Sequence, residues 1–369
     1  MERSLPWSPR AIRVGVITCA WTFIATVTYV DTYLAIGDLR SMGKLVGNYP
    51  FLPDFIGTAV TGIIAGLLGG YLLVYRLNSG RRHRTFMSDI VRAGWTFLLI
   101  YVGATAGLVF VMAFGLNIMD GHLGPSLAAG WQNVVVNLVA PTFLTNMLMW
   151  GLVIVATQFM LQVTDKFGPG VLWKLVTGRY YHPRDEERVF MFLDLKSSTA
   201  IAEELGHRRF FEFLREVYQD ITGPVADHGG EIYQYVGDEV VVVWTPQQGS
   251  SDANAVRCFF AIEQALDARR GDYLQRFDVA PTFKAGIHVG TATVGEIGVI
   301  KKDIVYSGDV LNATARIQGE CNRYRVSLLA SEDLLGMVAA SEAFHSVSIG
   351  ELVLRGRSEP LSLSVVLPA

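Results

Sequence analysis

The sequence predicts an α-helical membrane half followed by an α+β domain, and three observations carry that expectation. The chain is 51% hydrophobic and 18% charged, whereas a soluble enzyme carries about 25% charged residues. The apolar excess lies before residue 164 or so. Beyond it, short apolar strands alternate with amphipathic helices. A length of 369 residues is enough for both parts.

Four apolar segments, Val14–Ile36, Phe55–Tyr75, Gly94–Leu116 and Leu138–Val163, are expected to be transmembrane helices. Each reaches the roughly 20 residues that cross a hydrocarbon core. Their Gly, Ala, Ser and Thr content, as in "TGIIAGLLGGYLL", suits close helix packing in lipid. Charge sets the orientation. Arg3, Arg10 and Arg13 precede the first segment, "RLNSGRRHR" follows the second, and Lys166, Lys174 and Arg179 follow the fourth. The loop between the third and fourth has no Lys or Arg. Both termini are therefore expected in the cytoplasm, with the chain multi-pass in the inner (plasma) membrane. A signal peptide is the alternative for the first segment; its length and the lack of a small-residue cleavage site oppose it.

A net charge of −3 opposes a nucleic-acid binder, and the lipid bilayer is the partner expected for "RRHR". Cys19, Cys258 and Cys321 form no metal-type spacing and are expected as free thiols in a reducing compartment. Asp31, Asn137 and Asn146 either belong to a sensing site for an unknown signal or lie at span ends and between helices.

The expected domains are 1–164, a cytoplasmic linker over 165–187, and a catalytic domain over 188–369. Gly168, Pro169, Gly170 and Pro183 punctuate the linker. "VFMFLDL" reads as a buried strand and the segment from Ser197 to Gly230 as a long amphipathic helix. "GEIYQYVGDEVVVVW" reads as a hairpin turning at Gly237 and Asp238. A helix capped by Ser251 or Asp252 runs to Phe277. "TFKAGIHVGTATVGEIG" reads as a strand with glycine turns, "GDVLNATARIQGECNRY" as a helix, and the remainder as strands.

Three places carry chemistry. Asp194 ends the buried strand, and "KSST" (Lys196, Ser197, Ser198, Thr199) follows, so the helix start can hold phosphate oxygens. Asp238 sits at the hairpin tip. Alone, the first reads as a helix cap and the second as turn chemistry. Together, on neighbouring strands, they can share two metal ions of the kind that stabilise in-line phosphoryl displacement. Asn312 and Arg316, four apart, share a helix face.

The ordered blocks F-L-D-L…S-T, G-G-E-I…G-D-E, K-A-G-I-H-V-G…V-G-E-I-G and G-D-V-L-N-A-T-A-R resemble the class III adenylyl/guanylyl cyclase catalytic domain, from about Glu187 to the C-terminus. The resemblance implies a ferredoxin-like βαββαβ core, a head-to-tail homodimer and active sites at its interface. It implies that Asp194, Asp238 and the Leu195 carbonyl bind two Mg2+ or Mn2+ ions. Asn312 and Arg316 would act in the partner's site, and Arg355 or Arg357 would bind phosphate. The substrate implied is ATP, converted to 3′,5′-cyclic AMP and pyrophosphate. The purine selectors depart from the pattern. Gln234 stands where the family has a base-reading Lys, and Val305 where it has Asp or Thr; Asp303, two residues earlier, is a substitute if the segment bulges. Three alternatives follow: a guanylate cyclase, a catalytically impaired signalling or dimerisation module, and a diguanylate cyclase suggested by "YVGDE". The last lacks the second Gly and the Phe of G-G-D-E-F.

Overall fold

The computed structural model describes residues 9–42, 51–77, 86–119, 131–132, 134–136, 138–167, 178–300, 302–338, 344–353 and 359–369. The chain divides into two compact units, Met1–Phe167 and Gly168–Ala369. Arg355, Arg357, Asn137 and the basic cluster at 81–84 lie outside the described residues.

The first unit contains α1 (Pro9–Ser41), α2 (Phe51–Tyr71, continued by a π-helical turn, Leu72–Leu77), α3 (Phe86–Met119) and α4 (Pro141–Phe167). Among the described residues, three helical stretches are long and apolar enough to cross a membrane: Ala11–Ser41, Phe51–Tyr75 and Phe143–Thr164. The expected third span falls within α3. Gly62, Gly66 and Gly70 form a buried stripe on α2. A Cβ at Gly66 would lie 2.6 Å from the Thr18 Cα. Small residues therefore let the backbones of α1 and α2 meet, the packing that lipid-exposed helices use in place of a hydrophobic drive. Trp21 ties α1 to α4: its indole N–H donates to Thr157 Oγ1 at 3.0 Å, and its ring meets Trp150 edge-on at 6.0 Å. Gln158 is fully buried nearby, with neither amide atom paired among the described residues.

The second unit is built on an eight-stranded mixed sheet in the order β2-β3-β1-β4-β6-β8-β7, with β5 paired to β4. In chain order it runs β1 (Arg184–Leu195), α5 (Ser198–Asp227), β2 (Glu231–Val236), β3 (Glu239–Trp244), α6 (Pro246–Ser250), α7 (Asn254–Ala268), α8 (Arg270–Phe277), β4 (Phe283–Ile297), β5 (Asp303–Ser307), α9 (Asp309–Tyr324), β6 (Leu328–Ser331), α10 (Glu332–Met337), β7 (Phe344–Leu352) and β8 (Leu361–Pro368). The four strands β2-β3-β1-β4 are antiparallel throughout, which with α5 and α7 makes the ferredoxin-like βαββαβ core. The parallel pairing of β4 and β6 makes the sheet mixed.

Both faces of the sheet are covered, which is why "VFMFLDL" is apolar without alternation. Val189, Met191 and Leu193 pack with Phe213, Val217, Phe259 and Ile262 of α5 and α7. Phe190 and Phe192 join Val241, Val243 and Val310, the last from α9, on the opposite face. Alternation places Asp194 on this second face.

Three expectations change. β1 begins at Arg184, inside the segment read as linker, and Tyr180 before it is buried, its carbonyl accepting from the Glu296 N–H at 2.9 Å. Glu186 and Arg188, among the first residues of β1, pair with each other along the strand. The helix expected from Ser251 or Asp252 starts earlier and is broken. Thr245 caps α6 in a capping box with Gln248, Pro246 occupies its first turn, and the chain resets before α7 and again before α8. Finally, β4 runs 15 residues without a glycine turn. Its glycines serve close approach instead: a Cβ at Gly286 would lie 2.4 Å from the Gln318 backbone nitrogen and 2.7 Å from the Thr314 carbonyl oxygen. Only Gly at that position lets α9 lie against the strand.

Candidate active site

Asp194 is paired in register with Glu239 of β3 and Lys284 of β4. Asp238 adjoins it from the hairpin tip, where Gly237 turns with φ +64°. Tyr218 of α5 holds that tip, donating its hydroxyl to the Gly237 carbonyl at 2.7 Å. Two sequence-distant aspartates thus meet because β1 ends where the β2–β3 hairpin turns.

The site is an acidic cluster with one embedded cation. Lys284 Nζ lies 3.0 Å from Asp194 Oδ2, with side-chain exposures of only 12% and 22%. Gln318 Nε2 of α9 donates to the same oxygen at 3.0 Å, and Lys284 also donates to Asn322 Oδ1 at 3.2 Å. Burial raises the Asp194 carboxyl above the ordinary aspartate range. The hydrogen bond and charge of Lys284 pull it down, and the Asp238 carboxyl pushes it up. Glu239 is raised first by burial, then by the Asp194 and Asp238 charges. Tyr218 is raised by burial and by the same carboxylates. The cluster is thus short of positive charge even with Lys284 in place.

The donor set fits a hard divalent cation. Asp194 and Asp238 offer only oxygen, and the Leu195 side chain is buried, so its backbone carbonyl is the group it can contribute. Among the described residues no three His, Cys, Asp or Glu side chains make a complete cage. Mg2+ is suited to such a part-shell, because it retains water and takes up substrate phosphates.

The helix start after β1 is as expected, but its side chains are differently engaged. Ser197 is the N-cap in a left-handed conformation, φ 57°, without a side-chain cap bond, and Ser198 and Thr199 form the first turn of α5. The first N–H groups of a helix have no intrahelical acceptor, so they stay available to an anion. Lys196 instead directs its ammonium to Ser327 Oγ at 2.7 Å.

Asn312 and Arg316 stand one turn apart on α9, where they make no hydrogen bond or ion pair among the described residues. Neither they, Gln234 nor Asp303 bonds to Asp194 or Asp238. Gln234 is exposed on β2, where a bulge after Ile232 sets it opposite Val241, on the same sheet face as Asp194. Asp303 begins β5 opposite Ile297, and the β4–β5 register is unbroken, so the two-residue bulge on which its role depended is not formed.

Sequence reasoning missed Lys284, Gln318, Tyr218 and Glu239. Lys284 opens the K-A-G-I-H-V-G block and Glu239 follows Asp238 directly, so both were in quoted motifs. Gln318 and Tyr218 reach the site through helix packing, which leaves no local signal.

The family described as "Adenylate and Guanylate cyclase catalytic domain" matches residues 180–365. "Adenylate cyclase 2" of Rhizobium meliloti (strain 1021) is 37% identical over 205 residues, 56% of this chain and 56% of that protein. "Adenylate cyclase 1" of the same strain is 32% identical over 49% of this chain and 28% of its own length. The chain therefore spans little more than half of the first relative and less of the second. A solved structure of a bacterial light-regulated adenylyl cyclase shares the fold at 20% identity and a TM-score of 0.50, covering 62% of this chain and 67% of that one.

Proposed function

Because the chain belongs to the adenylate and guanylate cyclase catalytic domain family, we propose that it is a membrane-anchored adenylate cyclase converting ATP to 3′,5′-cyclic AMP and pyrophosphate. The observation that carries this reading is the meeting of Asp194 and Asp238 at the end of β1. In the reaction the ribose 3′-oxygen forms a bond to the α-phosphorus, the α–β phosphoanhydride breaks, and the 3′-hydroxyl proton passes to solvent.

Asp194, Asp238 and the Leu195 carbonyl would hold two Mg2+ or Mn2+ ions. When bound, such ions favour the ionised 3′-oxygen and neutralise the leaving pyrophosphate. Tyr218 fixes the Asp238 loop, and the N-terminus of α5 receives phosphate oxygens. Asn312 and Arg316, which bond to neither aspartate, serve the site of a second copy. There the guanidinium stabilises charge on the α-phosphoryl group and the amide orients the ribose. The site is then complete only in a homodimer.

Gln234 meets the purine, since its amide both donates and accepts. The relatives named adenylate cyclase support ATP over GTP. Incubating the purified full-length protein with each nucleoside triphosphate and Mg2+ or Mn2+, then identifying the product by mass spectrometry, tests the reading. Cyclic AMP is expected with minor cyclic GMP; a preference for GTP overturns the adenylate assignment, and no cyclic product overturns the activity.

The membrane reading is that four helices span the bilayer with both termini cytoplasmic. The three apolar helices and the Lys/Arg asymmetry support it. Reporter fusions after residues 84 and 180 are expected to read cytoplasm and one near residue 122 the outside. The reverse pattern separates the catalytic unit from ATP and defeats the proposal.

A further inference from the structure

The helical unit carries an open-sided cavity of about 910 Å3 that the cyclase reaction leaves unexplained. α1, α2, α3 and α4 all contribute to its wall, which is lined among others by Trp21, Tyr33, Phe97, Tyr101, Asn146 and Trp150. Its size falls within the range of small-molecule sites, roughly 300–1,000 Å3, and an apolar wall with few polar groups is how such sites are built.

Apart from the Asp54 carboxylate, the polar side chains on the wall can all donate hydrogen bonds. Three of the five threonine hydroxyls on the wall are already committed: Thr28 donates to the Ile24 carbonyl at 2.8 Å, Thr32 to the Thr28 carbonyl at 2.9 Å and Thr61 to the Gly57 carbonyl at 2.8 Å. Among the described residues, the Asn146 amide and the Tyr33 and Tyr101 hydroxyls make no hydrogen bond. One turn of α4 beyond Ile154, which lines the cavity, Gln158 is fully buried, and both its amide atoms are unpaired among the described residues. The polar groups of this core exceed what its own side chains satisfy, in a medium where unpaired donors are costly.

An acyl chain would fill such a space but leave every donor unpaired and make no use of the rings. A flat ring stacks on aromatic walls and, if it carries carbonyl oxygens, accepts from the free donors. We propose that this cavity binds one lipid-soluble planar molecule bearing carbonyl oxygens, a quinone in chemical class. Its ring lies between the aromatic side chains, and one carbonyl accepts from Asn146. The inference does not depend on the cyclase reading.

The test uses full-length protein in lipid nanodiscs, titrated with 2-methyl-1,4-naphthoquinone and read by quenching of tryptophan fluorescence, since Trp21 and Trp150 line the cavity. Wild type is expected to quench to a plateau. Gly57 also lines the cavity, and a Cβ there meets nothing within 4 Å. Gly57→Phe therefore projects a ring into the space and should weaken binding at least about tenfold, whereas Gly57→Ala should stay within about twofold. Asn146→Leu, which removes the donor and keeps the size, should weaken it by about fivefold, the effect of one hydrogen bond. Quenching that rises without a plateau in wild type overturns the proposal, as does wild-type affinity in Gly57→Phe. Asn146→Leu binding as wild type overturns the carbonyl contact. Displacement by oleic acid of a fluorescent fatty acid, with no quinone plateau, assigns the space to an acyl chain and also overturns it.

Discussion

Lys284 faces Asp194 from the neighbouring strand and, among the described residues, is the cation bonded within a group of three carboxylates, Asp194, Asp238 and Glu239. Its ammonium both stabilises the metal-free site and competes with any cation that enters. Lys284→Met is therefore expected to lower stability by about 1–3 kcal/mol without divalent metal, as the loss of a charged hydrogen-bond partner does. Added Mg2+ should then raise the melting temperature more in the variant than in wild type; thermal unfolding with and without the metal checks this, and equal shifts would exclude the competition. The free thiols give a second residue-level prediction. Burial pushes both Cys258 and Cys321 up to about 12, so almost no thiolate exists near neutral pH. Neither should react with a maleimide in native protein at pH 7.5, while both should react after unfolding; mass mapping of the labelled peptides reads the outcome. At this scale the sequence revealed Asp194 and Asp238, because a carboxylate ending an apolar strand and another in a Gly-Asp turn are conspicuous locally. Lys284 and Gln318 became site residues only when β4 and α9 were laid beside β1, through separations that no local pattern encodes.

Among the elements, β4 and α9 show how one missing side chain sets a helix position. The first contacts of a Cβ at Gly286 are backbone atoms of α9, which cannot swing aside as a side-chain tip would. Gly286→Ala is expected to destabilise the catalytic unit by about 1–3 kcal/mol, the range for overpacking a filled core. Because α9 also carries Gln318, Asn312 and Arg316, kcat should fall together with stability. Denaturant unfolding and cyclase assays on the same preparation check both; a stable, fully active variant would show that α9 is free to shift. The hairpin tip and the buried end of β1 were legible, since a Gly-Asp turn and a continuous apolar run mark them. Glycines within "KAGIHVGTATVGEIG" were misread as turns because Gly for turning and Gly for close contact look alike before the partner helix is placed. The same limit hid the register of β5, whose unbroken pairing leaves Asp303 at the strand's outer end.

For the whole molecule, the division into an apolar helical unit and a mixed-sheet unit was plain from composition, since lipid and water select different residues. Where one gives way to the other was less plain: residues 184–187 were read as linker, yet they open the central strand. The homodimer proposal has a strict consequence. An Asp194→Ala chain and an Arg316→Ala chain are each expected to be inactive, at most about 1% of wild type, because each removes charge stabilisation from every site in its own homodimer. Co-expressed, they form heterodimers with one intact site, and activity should return to a fraction of wild type. Purified heterodimers that stay silent would mean that the site does not straddle two chains. A final consequence lies in β1 itself. The strand joined at Arg184 is the strand that delivers Asp194, and 12 residues of extended backbone make it a stiff rod about 36 Å long. An extended strand has little slack, so a tug on its first residue would reach the Asp194 carboxylate, as a pull on a taut cord reaches its far end.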